Sequence, residues 1–228
     1  LLNKNGPYLE KRLRTLREHA VKTNKVWADL LGIEPSAAIT CVKPSGTVSQ
    51  LTDSASGIHP RHSQYYVRTV RADNKDPLTK FLKDAKVYNE PDVMSPEHNT
   101  VFSFPIRCSN KAVFRNDLSA IDHMELWLTY SEHWCEHKPS ITVSVKEHEW
   151  LEVGSWVYKN FDYISGVSFL PHSDHTYQQA PYTECTEEEY SSLVEQMPIT
   201  INWAGLKEIV VEDTTTGSQE LSCTGEVC

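Results

Sequence analysis

No apolar run in this 228-residue sequence approaches the roughly 18 residues needed to span a bilayer, and its start lacks the apolar core of a signal peptide. Both absences favour a cytoplasmic protein with no membrane partner. A dense cysteine framework is missing as well. The six cysteines, at 41, 108, 135, 185, 223 and 228, suit a reducing compartment in which most thiols stay free. Positive charge is scarce: the formal net charge of −9 argues against direct, nonspecific nucleic-acid binding. There is no internal repeat and no long low-complexity stretch. What remains, 39% apolar and 10% aromatic residues, is enough to bury a core as one domain or a large part of one.

The charge is unevenly spread. Residues 1 to 25 carry seven Lys/Arg against two Glu, and residues 174 to 228 carry eleven Asp/Glu against one Lys. Either run also reads as a solvated face. Because the chain opens on Leu1 rather than Met, within what reads as a loop leading to a helix, the expectation is the C-terminal part of a longer protein.

Apolar spacing predicts a helix over 8–31, with Leu13, Leu16, Ala20, Trp27 and Leu30 on one face, ended by Gly32 and Pro35. A short strand is expected over 37–42, then strands over 101–106, 140–145 and 163–170, the last stopped by Pro171. Helices are expected over 118–136, capped by Asn116 or Asp117, over 147–159, and over 186–197, where Thr186 and Glu189 form a capping box. Strands alternating with such helices imply parallel βαβ units in an α/β sheet or barrel, with function at the C-terminal ends of the strands. Three regions follow: a helical lead-in over 1–36, a body over 37–211 and a flexible tail over 212–228.

Lys43-Pro-Ser-Gly-Thr-Val-Ser49 follows the first expected strand. Its small residues let backbone N–H groups converge on an anion such as a phosphate, and the hydroxyls of Ser45, Thr47 and Ser49 add donors. Pro-Ser-Gly-Thr is also a common turn. Downstream, Ser56-Gly-Ile-His-Pro-Arg61 runs into a cationic, aromatic stretch whose Arg61, Arg68 and Arg71 could hold phosphates or carboxylates, or simply pair with Asp53, Asp73 or Asp76. His133-Trp-Cys-Glu-His137 puts two histidines on one helix face, but Cys135 points elsewhere, so packed histidines read better than a metal site. The loop 172–182 is rich in hydrogen-bonding groups and aromatic faces able to cover a large planar ligand, and a plain surface loop would look similar.

Four cysteines sit in or beside expected elements and read as passive thiols. Cys223 and Cys228 do not. Behind the polar run 212–222 they form a dithiol that could close only a tiny ring, which suits disulfide exchange better than stabilisation.

Taken in order, Pro-Ser-Gly-Thr-Val-Ser, Ser-Gly-Ile-His-Pro, Trp-Cys-Glu-His with Ser-Ile-Thr-Val-Ser-Val, Gly-Val-Ser-Phe-Leu-Pro, Tyr-Gln-Gln-Ala-Pro-Tyr and Cys-x4-Cys resemble the C-terminal third of ribonucleotide reductase large chains. The resemblance runs from about Ala37 to Cys228 and is strongest to the monomeric, adenosylcobalamin-dependent (class II) ribonucleoside-triphosphate reductases. It implies the later strands of a ten-stranded α/β barrel. It also implies a substrate-phosphate site at Pro44, Ser45, Gly46, Thr47, Val48 and Ser49. Gly57, Ile58, His59, Pro60 and Arg61, with Tyr177, Gln178, Gln179, Ala180, Pro181 and Tyr182, would lie beside adenosylcobalamin. Cys223 and Cys228 would be the shuttle that reduces the active-site disulfide and is recharged by thioredoxin or glutaredoxin.

Departures from related patterns narrow the subclass. The strand Gly166-Val-Ser-Phe-Leu-Pro171 lacks the tyrosine pair by which iron-radical (class I) reductases relay a radical from a second subunit. The tail lacks the Arg-Val-x-Gly-Tyr-like pattern of glycyl-radical enzymes. No Asp-x-His-x-x-Gly marks a protein ligand to cobalt, so a bound cobalamin would keep its own base. The thiyl-radical cysteine, its Asn and Glu neighbours and the reducing cysteine pair of the family all lie upstream of the matching region. The chain alone is therefore expected to be inactive without the N-terminal part. Alternatives are a noncatalytic dithiol-bearing binding module and a class I large-chain fragment.

Overall fold

The computed structural model describes residues 6–46, 48–172 and 177–209. They fall into two compact units, 6–64 with 108–172 and 65–107 with 177–209. Cys223, Cys228 and Thr47 lie outside the described residues.

The first unit contains α1 (Gly6–Leu31), α2 (Val48–Leu51), α4 (Ala120–His133), α5 (Trp150–Lys159) and the strands β4 (Ile141–Val145) and β5 (Val167–Pro171). β4 alternates strictly: Ile141, Val143 and Val145 are buried while Thr142 and Ser144 are exposed, the period of two expected of a strand with one covered face. β5 pairs with it in parallel, Ile141 opposite Val167 through Val145 opposite Pro171, and α5 makes the crossover. This is one complete βαβ unit. Met124 and Trp127 from α4, Val153 and Trp156 from α5, and Ile58 close the core over β4.

Several expectations shift here. Pro171 is the last residue of β5 rather than its stop, and residues 163–166 precede the strand. Residues 37–42 form no strand; they are held to the chain leaving α4 through Glu136 N–H to Thr40 O (2.8 Å) and Ser140 N–H to Val42 O (3.4 Å), too few bonds for a ladder. α4 is capped by Ser119, whose hydroxyl accepts the Asp122 N–H (3.0 Å), because Asp117 is used one turn earlier, accepting the Phe114 N–H (2.8 Å). α1 does end at Leu31, but its apolar stripe is only partly covered. Leu9 and Leu13 are buried in the core cluster, whereas Leu16, Trp27 and Leu30 are exposed.

The second unit is an antiparallel sheet in the order β2-β3-β1-β6, formed by β1 (Tyr65–Asp73), β2 (Asn89–Pro91), β3 (Asn99–Arg107) and β6 (Tyr182–Glu184). It carries α3 (Pro77–Asp84), α6 (Glu187–Gln196) and α7 (Leu206–Ile209). Asp76 caps α3 with its carboxylate on the Leu78 N–H (2.8 Å), and Phe81 and Leu82 pack on Val87 and Phe102. Thr186 and Glu189 form the expected capping box of α6. The expectation of parallel pairing throughout fails in this unit. The stretch read as a cationic ligand segment is the nine-residue strand β1, in register with β3 from Tyr65 opposite Arg107 to Asp73 opposite Asn99.

Candidate functional site

In the first unit two loops are clamped face to face. The Ser45 N–H donates to Ser56 Oγ (2.8 Å), and the Ser56 hydroxyl donates back to the Ser45 carbonyl (2.9 Å). Ser49, at the start of α2 and buried, turns its hydroxyl onto the same carbonyl (3.3 Å). The first two bonds join the loops and the third closes the 45–49 loop on itself. Of the donors expected at an anion, the Ser45 amide is engaged with Ser56 Oγ and the Ser49 hydroxyl with the Ser45 carbonyl. Pro44, Gly46 and Val48 are exposed.

Gly57 makes the close approach possible. Its φ is +59°, and a Cβ there would sit 3.0 Å from the Lys43 carbonyl oxygen and 3.3 Å from Val42 Cγ1. Only glycine satisfies both conditions without strain. Lys43 in turn reaches across with its ammonium to the Lys138 carbonyl and the Ser140 hydroxyl.

His59 ties these loops to β4. Its Nε2 accepts the Thr142 N–H (3.0 Å), so the proton must reside on Nδ1, which donates to the Ser56 carbonyl (2.8 Å). His123, buried on α4, donates from Nε2 to the Ile58 carbonyl (3.1 Å) and stands edge-on to the His59 ring at 5.8 Å. Burial, and then repulsion from His59, lowers its pKa to about 4, although the Ile58 carbonyl opposes the shift. His123 is therefore neutral near pH 7. Its buried position follows the helical spacing of Ala120, Met124 and Trp127, a signal that places a side chain in the core but not against a particular loop.

Arg61 is buried, with Nε 3.1 Å from Cys108 Sγ and an NH2 nitrogen 2.7 Å from Asp53 Oδ1. Its backbone exchanges bonds with the 113–115 segment: the Arg61 N–H to Val113 O (2.8 Å) and the Arg115 N–H to Arg61 O (2.9 Å). Asp53, Arg61, Cys108, Lys111 and Tyr130 are among the residues lining a cleft of about 550 Å³. Asp53 was one of the carboxylates expected as an alternative partner; Cys108 was not singled out. His133 packs at the end of α4, accepting from Arg14 Nε (3.2 Å) with Glu10 3.6 Å away. Among the described residues no three His, Cys, Asp or Glu side chains gather as a metal site would require.

In the second unit the 177–182 segment is largely structural. Gln179, at φ +58°, accepts the Val93 N–H on Oε1 (2.9 Å) and donates Nε2 to Glu90 Oε1 and Pro91 O (both 2.8 Å). Ala180 is buried, and the Pro181 carbonyl accepts from the Thr69 N–H (3.2 Å) and Arg68 (3.2 Å). Tyr182 lies in β6 under the Arg68 guanidinium, 4.4 Å from its ring centroid. Tyr177 and Gln178 are the members of this set that remain exposed. Arg71 pairs with the buried Asp92 (3.4 Å) rather than with Asp73 or Asp76.

The chain is 26% identical over 204 residues to the adenosylcobalamin-dependent ribonucleoside-triphosphate reductase of Euglena gracilis, covering 88% of this chain and 28% of that protein. With the enzyme of the same name from Lactobacillus gasseri it shares 26% over 219 residues, 94% of this chain and 28% of the relative. This chain is a homologue of the adenosylcobalamin-dependent ribonucleoside-triphosphate reductases. It spans about a quarter of the length of these reductases. A crystal structure of a B12-dependent (class II) ribonucleotide reductase superposes with a TM-score of 0.77 at 23% identity, over 91% of this chain and 29% of that one, so the chain shares the mixed α/β fold of part of that structure. No family model matches the sequence. No helix among the described residues of this reductase homologue is long and apolar enough to cross a membrane.

Proposed function

We propose that this chain is the C-terminal part of the catalytic chain of an adenosylcobalamin-dependent ribonucleoside-triphosphate reductase in the cytoplasm. With the N-terminal part it would convert ribonucleoside triphosphates to 2′-deoxyribonucleotides for DNA synthesis. The observation that carries the reading is similarity to these reductases along 94% of the chain. The βαβ unit would then supply later strands of the ten-stranded barrel, and 212–228 the redox tail.

The loop Pro44–Ser49 would receive the substrate phosphates. Its support is the Ser45–Ser56 clamp, which fixes backbone groups in place before any ligand arrives and so lowers the ordering cost of binding. His59, held between Thr142 and Ser56, would keep the clamp aligned with β4. The Lys43 ammonium is spent on Lys138 and Ser140, so anion binding would rest on dipoles rather than on a salt bridge.

Adenosylcobalamin fits the expected residues in part. Tyr177 offers an exposed aromatic face and Gln178 an exposed amide suited to the rim of a large planar ring. His59, Arg61 and Gln179 have polar atoms engaged within the chain, so with Gly57, Ile58, Pro60, Ala180, Pro181 and Tyr182 they would contribute shape. When bound, the cofactor supplies the radical that starts the reaction.

Cys223 and Cys228 would take electrons from thioredoxin or glutaredoxin and pass them by disulfide exchange to a disulfide in the N-terminal part. Replacing both by Ser in the reassembled enzyme is expected to abolish turnover with thioredoxin while leaving turnover with a small dithiol. Equal loss, or equal retention, with both reductants would refute the shuttle.

A further inference from the structure

Cys41 and Cys135, far apart in sequence, are neighbours in the first unit. The chain around Cys41 is laced to the chain leaving α4. Trp134 Nε1 donates to the Cys41 carbonyl (3.2 Å), the Thr40 hydroxyl donates to the Trp134 carbonyl, and the Glu136 carboxylate accepts the N–H groups of Ile39 (3.0 Å) and Thr40 (3.1 Å). Cys41 Sγ lies 3.3 Å from the His137 carbonyl and 3.5 Å from that of Lys138, against residues just beyond Cys135. The Cys135 thiol has the Cys41 thiol and the Val42 backbone amide beside it. Both cysteines are free; Cys41 is half-buried and Cys135 buried. Passive core thiols have no need of one another's company, and this pair is held together from both flanks.

We propose that Cys41 and Cys135 form a second dithiol, which closes to a disulfide by exchange with a glutathione-type disulfide. The more accessible Cys41 loses its proton to solvent and its thiolate attacks one sulfur of the external disulfide. That forms a mixed disulfide and releases one thiol. Cys135, deprotonated in turn, displaces the second external thiol. Two protein thiols are oxidised, and one external disulfide is reduced to two thiols. Burial, with the Cys41 thiol adding to it and the Val42 amide opposing, raises the Cys135 thiol to about 11, so the closing step quickens as the solution is made alkaline. The new bond ties down the chain two residues before Lys43, whose carbonyl oxygen is the atom that Gly57 approaches. The proposal stands independently of the reaction assigned above, because its test reads sulfur connectivity in this chain.

The full chain carrying Cys223→Ser and Cys228→Ser, which removes the tail pair, is treated with oxidised glutathione at mildly alkaline pH, alkylated, digested and mapped by mass spectrometry. The expected product joins the Cys41 and Cys135 peptides, with two hydrogens lost and no glutathione kept on either. Cys135→Ser, or Cys135→Ala should the first variant fold poorly, traps glutathione on Cys41. Cys41→Ser leaves Cys135 reduced and alkylated only on unfolding. If Cys41 retains glutathione equally with and without Cys135, or if the cross-links join other cysteines, the proposal is overturned.

Discussion

Gly57→Ala is expected to loosen the first unit substantially, and the size of the effect follows from two separate terms. Holding alanine at φ +59° costs roughly 1–2 kcal/mol, the usual penalty of the left-handed region for a residue with a Cβ. The new Cβ would also lie 3.0 Å from the Lys43 carbonyl oxygen, a backbone atom that cannot rotate away, and overpacking of this kind costs about 1–3 kcal/mol. Together they predict a loss of about 2–5 kcal/mol, which at a urea slope of about 2 kcal/mol per molar lowers the midpoint by about 1–2.5 M. Tryptophan fluorescence reports mainly on this unit, since Trp27, Trp127, Trp134, Trp150 and Trp156 lie in it and Trp203 in the other. Gly46→Ala is the control, because no atom lies within 4 Å of its added Cβ and its φ is not in the left-handed region. Equal midpoints for the two variants would refute the close-approach reasoning.

Ser56→Ala removes both bonds to Ser45 and is expected to cost about 1–3 kcal/mol and to speed hydrogen exchange at the Ser45 amide; unchanged exchange there would count against the clamp. The folded pKa of His123, about 4, lies below its unfolded value near 6.5, so its contribution is complete above pH 6.5 and lost as pH falls through 4. The loss is about 3 kcal/mol, and His123→Gln should flatten that part of the stability profile measured by denaturant titration. Leu13→Ala is expected to cost about 2–5 kcal/mol while Leu30→Ala on the same helix stays within about 0.5 kcal/mol, a contrast that thermal unfolding can read directly.

Local signals were legible in the sequence wherever the chemistry that decides them is also local. The Thr186–Glu189 capping box, the alternation of 141–145 and the end of α1 at Leu31 all depend on residues a turn or two apart. β1 escaped because Arg68 and Arg71 interrupt its apolar alternation, and its pairing with β3 is set by contacts more than twenty residues away. With β1 unseen, the antiparallel sheet could not be anticipated. At the candidate site, the Pro44–Ser49 loop and the Ser56–Arg61 stretch were visible as motifs, and their residue types limited the chemistry. Their mutual clamp was not visible, because it depends on Gly57 meeting the Lys43 backbone, and nothing in composition announces that meeting. Gln179 shows the converse. A polar residue in an apparent ligand loop proves to spend both its oxygen and its nitrogen on β2 and the chain just after it. The Cys41–Cys135 contact was hidden for the same reason as the clamp, each thiol looking passive when taken alone.

The decisive measurement is turnover by this chain joined to the N-terminal part of the reductase, supplied with a ribonucleoside triphosphate, thioredoxin and adenosylcobalamin. Deoxyribonucleotide should form only when the cofactor and both parts are present. Turnover that is indifferent to adenosylcobalamin, or no turnover from a correctly assembled enzyme with intact cofactor, would contradict the assignment.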